Sequence, residues 1–256
     1  MSTKHPVTRP IQDEDLSYIR SRYQDRIAQH GVTFASMNSG TEAKQRIRHT
    51  IHAELVSPTD QVFDVGSGIG AFYQFLRDHG HRGSYHGIDI IPEYVEHCVR
   101  AFPTARFELR DVFDQGIPGE HDVIVASQVF NAKYRRSDNL EVLKQFLAMA
   151  FDKTRKSVTL DMLTSYADFN APELYYFSPE QVFAFAKSLT RFVRIRHEYL
   201  PFEFSIQLFK HGMEPVDLFL VAADGLCAQS RDALGDNLEL LPARSGHLEG
   251  NPGISG

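Results

Sequence analysis

Cysteine is scarce: Cys98 and Cys227 are the only two among 256 residues, too few and too far apart for a metal knuckle or a disulfide framework. Each is expected to be a free thiol, with Cys98 on the core-facing side of a helix. Long apolar runs are missing too. No segment approaches the roughly 20 apolar residues that cross a membrane, and the opening MSTKHPVTRPIQDED is polar where a secretory leader would be apolar. A soluble, cytoplasmic protein is expected. There is no excess of basic charge: 27 Lys and Arg face 33 Asp and Glu, for a formal charge of -6. Such a balance provides no general field for a phosphate backbone, which disfavours nucleic acid as a partner. The 12 histidines show no metal-ligand spacing with a partner acid, so no metal site is expected.

What the chain does contain is a regular succession of elements, long enough for one principal core. DLSYIRSRYQDRI has Leu16, Ile19, Tyr23 and Ile27 at helical spacing, and a second helix follows in SGTEAKQRIRHTIHAEL with Ser39 or Thr41 as its cap. Residues 1–56 therefore read as a helical cap, serving as a lid or a homodimer contact. Arg46 and Arg48 on the second helix suit either a solvated face or an acidic acceptor. Strands and helices then alternate: DQVFDVG, AFYQFLRDHG, SYHGIDI, PEYVEHCVRAF, RFELRDV, HDVIVASQVF, LEVLKQFLAMAF, SVTLDML, SPEQVFAFAKSL, RFVRIRHEYL and FEFSIQLFK. This succession predicts an α/β fold, a seven-stranded, mostly parallel Rossmann-like sheet with helices on both faces, over residues 57–212. The short link between the last two strands requires an antiparallel hairpin. Residues 213–256, which hold the short apolar run VDLFLVAADGL and end in LPARSGHLEGNPGISG, read as a largely flexible extension.

The chemistry is concentrated in VFDVGSGIGAF. Ligands of open parallel sheets bind at the carboxyl ends of the strands, where Gly66, Gly68 and Gly70 fall. Gly66 and Gly68 allow a sharp turn and close approach of a ligand, and Gly70 lets the next helix begin near the strand. GSGIGA also satisfies the GxGxxA form of the dinucleotide fingerprint, so the glycines by themselves leave two ligand classes open. Asp64, two residues before the first glycine, suits a cationic amine or an ordered water better than a pyrophosphate. Asp89, 19 residues after Gly70 and followed by Ile90, is placed to accept two ribose hydroxyls. Asp111, followed by Val112, closes the third strand where an adenine amino group can reach it. Singly, Asp89 and Asp111 each also fit a helix cap or a turn. Together they describe a pocket for an adenosine with an amino-acid tail.

This arrangement, from Asp60 to Lys210, resembles the class I S-adenosylmethionine-dependent methyltransferases. VFDVGSGIG looks like their first motif, GIDI like the ribose-binding acid, RDVF like the adenine-binding acid and ASQVFN like the fourth-strand motif. The terminal hairpin is similar to their sheet, whose last strand is antiparallel. MNSGTEAKQRIRH, SQVFN, TSYADFNAPELYYFSP and HEYLPFEFSI are similar to a bacterial subgroup whose acceptor is unassigned. The resemblance implies S-adenosylmethionine as cofactor, held by Asp64, the three glycines, Asp89 with Ile90, Asp111 with Val112, and Ser127.

Methyl transfer from a sulfonium is an in-line displacement, which needs alignment and exclusion of water; a base is needed only if the nucleophile must lose a proton. Ser127, Gln128, Phe130 and Asn131 after the fourth strand, and Thr164, Ser165 and Tyr166 after the fifth, are expected to face the reacting centre. Asn131 could orient an acceptor or satisfy a turn. Tyr166, Tyr175 and Tyr176 could form an aromatic wall beside a cation or pack their loop. His197 at the end of the sixth strand is the candidate base, with a structural histidine as the other reading. Four functions follow: methyl transfer to an oxygen or nitrogen of a small molecule; cyclisation of the cofactor to azetidine-2-carboxylate with release of methylthioadenosine; NAD-dependent oxidoreduction, which the GxGxxA match permits; and a noncatalytic binding module.

Overall fold

Seven strands form one sheet: β1 (Val62–Val65), β2 (Tyr85–Asp89), β3 (Arg106–Leu109), β4 (His121–Ser127), β5 (Thr154–Leu163), β6 (Phe192–Leu200) and β7 (Glu203–Phe209), in the order β3-β2-β1-β4-β5-β7-β6. The computed structural model describes residues 9–212. β1 to β5 run parallel, and β7 enters between β5 and β6, antiparallel to both. This is the expected Rossmann-like architecture with an antiparallel last strand. β1 is apolar except at Asp64 and buried throughout, as a strand covered on both faces requires. β5 and β7 instead alternate: Val158, Leu160 and Met162 with Thr159 and Asp161, and Phe204, Ile206 and Leu208 with Ser205 and Gln207, all of them buried.

The helices are α1 (Asp13–His30), α2 (Glu42–Ala53), α3 (Ala71–Asp78), α4 (Pro92–Ala101), α5 (Val112–Gln115), α6 (Asn139–Lys153) and α7 (Pro179–Leu189). Local chemistry sets their starts. Thr41, Asp138 and Ser178 accept the amides of Lys44, Glu141 and Gln181, and Pro92 and Pro179 occupy first helical positions where no amide partner is needed. α6 and α7 pack on β5, β6 and β7, while α4 packs on β2 and β3 and α2 on α3 and β5. Cys98 is fully buried on α4.

Two short elements were not foreseen. One is the 3-10 turn Phe34–Met37. The other is α5, which begins because Asp111 accepts the Phe113 amide at 2.9 Å; β3 thus stops at Leu109, and Asp111 caps a helix instead of closing the strand. Neither the expectation for residues 213–256 nor that for Cys227 falls within the described residues. No helix among the described residues is long and apolar enough to cross a membrane.

Candidate active site

A cavity of about 340 Å³ opens over the carboxyl ends of the strands, within the ~300–1,000 Å³ usual for small-molecule sites. Its floor follows the sheet order: Asp111 after β3, Asp89 after β2, Gly66 and Gly68 after β1, Gln128 after β4, Leu163 at the end of β5 and Glu203 at the start of β7. Tyr23 of α1, Met37 of the 3-10 turn and Arg48 of α2 close it from above. α1 is held by an unusual anchor. Asp15, only 2% exposed, accepts the backbone amides of Arg135, Arg136 and Ser137 and the Ser137 hydroxyl. Burial alone would raise its pKa, but these four donors outweigh that and lower it.

Between β1 and α3 the backbone turns through left-handed conformations at Gly66 (φ 73°) and Gly70 (φ 77°). A Cβ on Gly66 would lie 2.6 Å from Val129 Cγ2, and one on Gly70 2.6 Å from Phe102 Cε2, so strain and packing both demand glycine. Gly70 does not line the cavity; it seats α3 against α4. Four of the loop's amides are spent internally. Gly66 and Ser67 both donate to the Ile88 carbonyl, Gly70 to the Ser67 carbonyl, and Gly68 to Asp89 Oδ2 at 2.9 Å. With the Asp64 carboxyl buried beneath it, the cradle fits a nucleoside with an amine better than a pyrophosphate.

Asp89 lines the cavity and accepts the Gly68 and Ile91 amides, one on each oxygen. A carboxylate has about four acceptor sites, which leaves capacity for two hydroxyls. Burial raises its pKa to about 6 against the lowering effect of those amides. Asp64 lies beneath the glycine turn, in a smaller adjoining cavity with His49 and Gln128. Burial pushes its carboxyl up to about 7, opposed by a hydrogen bond from the Tyr85 hydroxyl. His49 is pushed down to about 3, chiefly by burial, so it is neutral there, with its ring tilted against Phe72 and edge-on to Phe75. Asp111 lines the far end of the cavity, where Arg9 forms an ion pair with its second oxygen. Ile90, Val112 and Ser127 also line the cavity.

Of the expected reaction-centre residues, Gln128, Phe130 and Asn131 reach the cavity. Asn131 acts as a brace, donating to Gln128 Oε1 at 2.6 Å and accepting the Leu163 amide at 3.0 Å. Thr164, Ser165, Tyr166, Tyr175, Tyr176 and His197 are not among the residues that line it. Tyr166 is 63% exposed and bonds to Glu180. Tyr176 accepts the Ala171 amide within its own loop. Tyr175 packs on Phe177, and His197 is exposed on β6, 6.0 Å from the Tyr166 ring. Among the described residues there is no cluster of three or more His, Cys, Asp or Glu arranged to hold a metal.

A buried polar network at the β4–β5–β7 end escaped the sequence reading. Arg48, at 3% exposure, is not on a solvated face. Its Nε and Nη2 donate to Glu203 Oε2 and Oε1, each at 2.6 Å, and Nη1 to the Ser39 carbonyl at 2.8 Å. Gln128 Nε2 donates to Asp161 Oδ2 at 2.6 Å and Glu203 Oε2 at 3.0 Å, from a residue held at φ 60°, a strained value for glutamine. His52 Nε2 meets Asp161 Oδ1 and its Nδ1 meets Thr159 Oγ1, both at 2.8 Å. Burial would raise Asp161, but His52, Arg48 and Gln128 together hold it below its ordinary value. Arg48 is raised in turn, because Glu203 and Asp161 overcome the cost of burying its charge.

No protein-family model matches the chain. A Mycobacterium tuberculosis protein named as a methyltransferase, Rv1506c, is 30% identical over 152 residues, which are 57% of this chain and 91% of that protein. Many solved structures share the fold, among them three methyltransferases. Magnesium protoporphyrin IX methyltransferase of Synechocystis PCC 6803, with bound S-adenosylmethionine, has a TM-score of 0.56 at 16% identity and covers 80% of this chain and all (100%) of its own. The Burkholderia thailandensis 1,6-didemethyltoxoflavin-N1-methyltransferase has a TM-score of 0.54 at 15% identity, covering 81% and 94%. The N-methyltransferase NodS of Bradyrhizobium japonicum WM9 has a TM-score of 0.54 at 12% identity, covering 73% and 97%. The chain belongs to the class I S-adenosylmethionine-dependent methyltransferase superfamily.

Proposed function

We propose that the protein transfers the methyl group of S-adenosylmethionine to an oxygen or nitrogen of a small molecule in the cytoplasm. The observation that carries this reading is the order of groups along one cavity: Asp111 for the adenine amino group, Asp89 for the ribose, Gly66 and Gly68 beside the sugar and tail, and a polar wall beyond them at β4, β5 and β7. Asp64 and Ser127 would hold the amine of the tail, while Ile90 and Val112 flank the adenine. When bound, the cofactor supplies an electrophilic methyl on a sulfonium. The chain's part is to align a lone pair with that methyl and keep water out, for which α1, the Phe34–Met37 turn and α2 would act as the cap. Asp111 meanwhile exchanges its contact with Arg9 for one with the base. A cavity at the lower end of the usual range, shared by two molecules, favours a small acceptor. Dinucleotide chemistry is poorly served by the Asp64 carboxyl beneath the glycine turn, and cyclisation of the cofactor draws no support from the relatives.

The test is to incubate the protein with S-adenosylmethionine, with and without pooled small metabolites, and follow the sulfur products by mass spectrometry. Retention of the cofactor alone and S-adenosylhomocysteine in the pools are expected. Accumulation of methylthioadenosine without an acceptor would replace methyl transfer by cyclisation, and absence of binding would remove both.

A further inference from the structure

We propose that Glu203 is the catalytic proton acceptor of this transferase, and that the group it serves is a hydroxyl. The inference rests on the methyltransferase reading above. With the adenine at Asp111 and the ribose at Asp89, the opposite end of the cavity is where the acceptor must lie. That end is formed by Gln128, Asn131, Leu163, Arg48 and Glu203. Asn131 has its Nδ2 and Oδ1 committed to Gln128 and Leu163, Gln128 donates to two carboxylates, and Arg48 has no acceptor atom. Asp161 is fully enclosed by His52, Gln128 and Arg48. Glu203 is the carboxylate that borders the cavity there. Its Oε2 takes Arg48 Nε and Gln128 Nε2, whereas its Oε1 takes Arg48 Nη2 alone, leaving Oε1 able to accept another hydrogen. Two further hydroxyls at this end, those of Tyr199 and Ser205, are buried without a partner. Ser205 stands two residues along β7 from Glu203, opposite Asp161.

The charge and basicity of the site select the acceptor. Arg48 offsets one of the two carboxylates, Glu203 and Asp161, and fixes the Glu203 head group through two parallel bonds. Any carboxylate is a much weaker base than an amine, so it cannot efficiently strip an alkylammonium before attack. A hydroxyl needs no prior deprotonation: its oxygen forms the bond to the methyl carbon, the carbon–sulfur bond breaks with its electron pair staying on sulfur, and the oxonium so formed is a far stronger acid than a carboxylic acid. Its proton passes to Glu203 Oε1 as the oxygen–carbon bond forms, because the oxygen changes in that step from a weaker acid than a carboxylic acid to a far stronger one, the condition under which a general base assists.

The first measurement needs no acceptor. Sinefungin has a carbon in place of the sulfur of S-adenosylmethionine and an amine in place of its methyl group, and so puts a cation at the transfer position. Calorimetry should show Glu203→Gln weakening sinefungin at least ten-fold while S-adenosylhomocysteine stays within about three-fold. Equal weakening of both would mean that Glu203 only supports the fold, and no change in either would place it away from the reacting centre; both outcomes overturn the proposal. If Glu203→Gln does not fold by circular dichroism, Glu203→Asp, which keeps the charge but withdraws it by one methylene, is put to the same comparison. Failure of the wild-type protein to bind S-adenosylhomocysteine would sink the cofactor reading instead. The second measurement supplies S-adenosylmethionine with a pool of alcohols and phenols or a pool of primary and secondary amines. Release of S-adenosylhomocysteine is expected in the hydroxyl pool, with kcat lowered far more than KM is changed in Glu203→Gln. Release from the amine pool alone, or from neither, overturns the hydroxyl assignment.

Discussion

At the residue scale, the two buried acids beneath the glycine turn make the site sensitive to pH. Asp64 and Asp89 have folded-state pKa values near 7 and 6, raised mainly by burial from 3.8. A raised acid stabilises the native state below its unfolded pKa, and that contribution disappears as pH rises through the folded value. Asp64→Asn should therefore melt higher than the wild-type protein at pH 8 and converge with it near pH 4, the difference being up to about 4 kcal/mol at one pKa unit per 1.36 kcal/mol. Melting curves across that range decide it, and a constant offset would remove the assignment. Binding runs the other way, because a ribose hydroxyl and a cationic amine need ionised partners. The affinity for S-adenosylhomocysteine should rise by at most about ten-fold per pH unit per group between pH 5 and 7, then level off. Calorimetry at constant ionic strength would test this. Gly66→Ala combines a φ of 73° with a methyl 2.6 Å from Val129 Cγ2; it should cost ~1–3 kcal/mol in urea unfolding and weaken cofactor binding more than ten-fold.

Legibility at this scale was uneven for a physical reason. Asp89 and Asp111 could be found because their order after successive strands implies position along a sheet edge. His197 and Tyr166 could not be weighed the same way: which residues follow a strand is clear from sequence, but where a long loop turns them is decided by its packing. Tyr166 is turned outward, to Glu180.

At the element scale, the decisive feature is how α2 meets the sheet. β5 and β7 alternate polar and apolar residues in register, Asp161 opposite Ser205 and Thr159 opposite Gln207. That period-two pattern ordinarily marks a sheet face open to water. Here α2 covers it, with His52 on Thr159 and Asp161 and Arg48 on Glu203. The alternation of SVTLDML and FEFSIQLF, set beside the basic RIRHTIH of α2, is the signal that could have revealed the network. Arg48→Met should cost about 3–5 kcal/mol, since it strands Glu203 and Asp161 as buried charges; chemical denaturation checks it, and a loss under 1 kcal/mol would show that water reaches the cluster. For α1 the corresponding anchor is Asp15. Asp15→Ala should raise amide hydrogen exchange along α1 and at residues 135–137 while leaving β1 and β4 protected. Uniform acceleration across the molecule would mean that the anchor stabilises the whole fold.

At the scale of the whole molecule, the α/β alternation, the seven strands and the terminal hairpin were readable because each rests on a local rule: apolar runs for covered strands, glycine and proline at boundaries, and a link too short for a crossover. Ligand binding should act on this whole unit. S-adenosylhomocysteine at one hundred times its Kd adds about 2.7 kcal/mol and should raise Tm by roughly 5–10 °C for a domain of this size; an unshifted melting point would contradict the cofactor reading. By itself, the sequence determined the strand and helix succession, the glycine turn with its two following acids, and hence the class of cofactor, since those features depend on residues near one another in the chain or on successive strand ends. Only the tertiary structure decided that α1 and α2 roof the cavity, that the Gly68 amide is held by Asp89, and that Arg48 meets Glu203 across 155 positions. Those contacts join distant segments, and the burial that makes a charged pair strong or costly exists only once the helix is seated on the sheet.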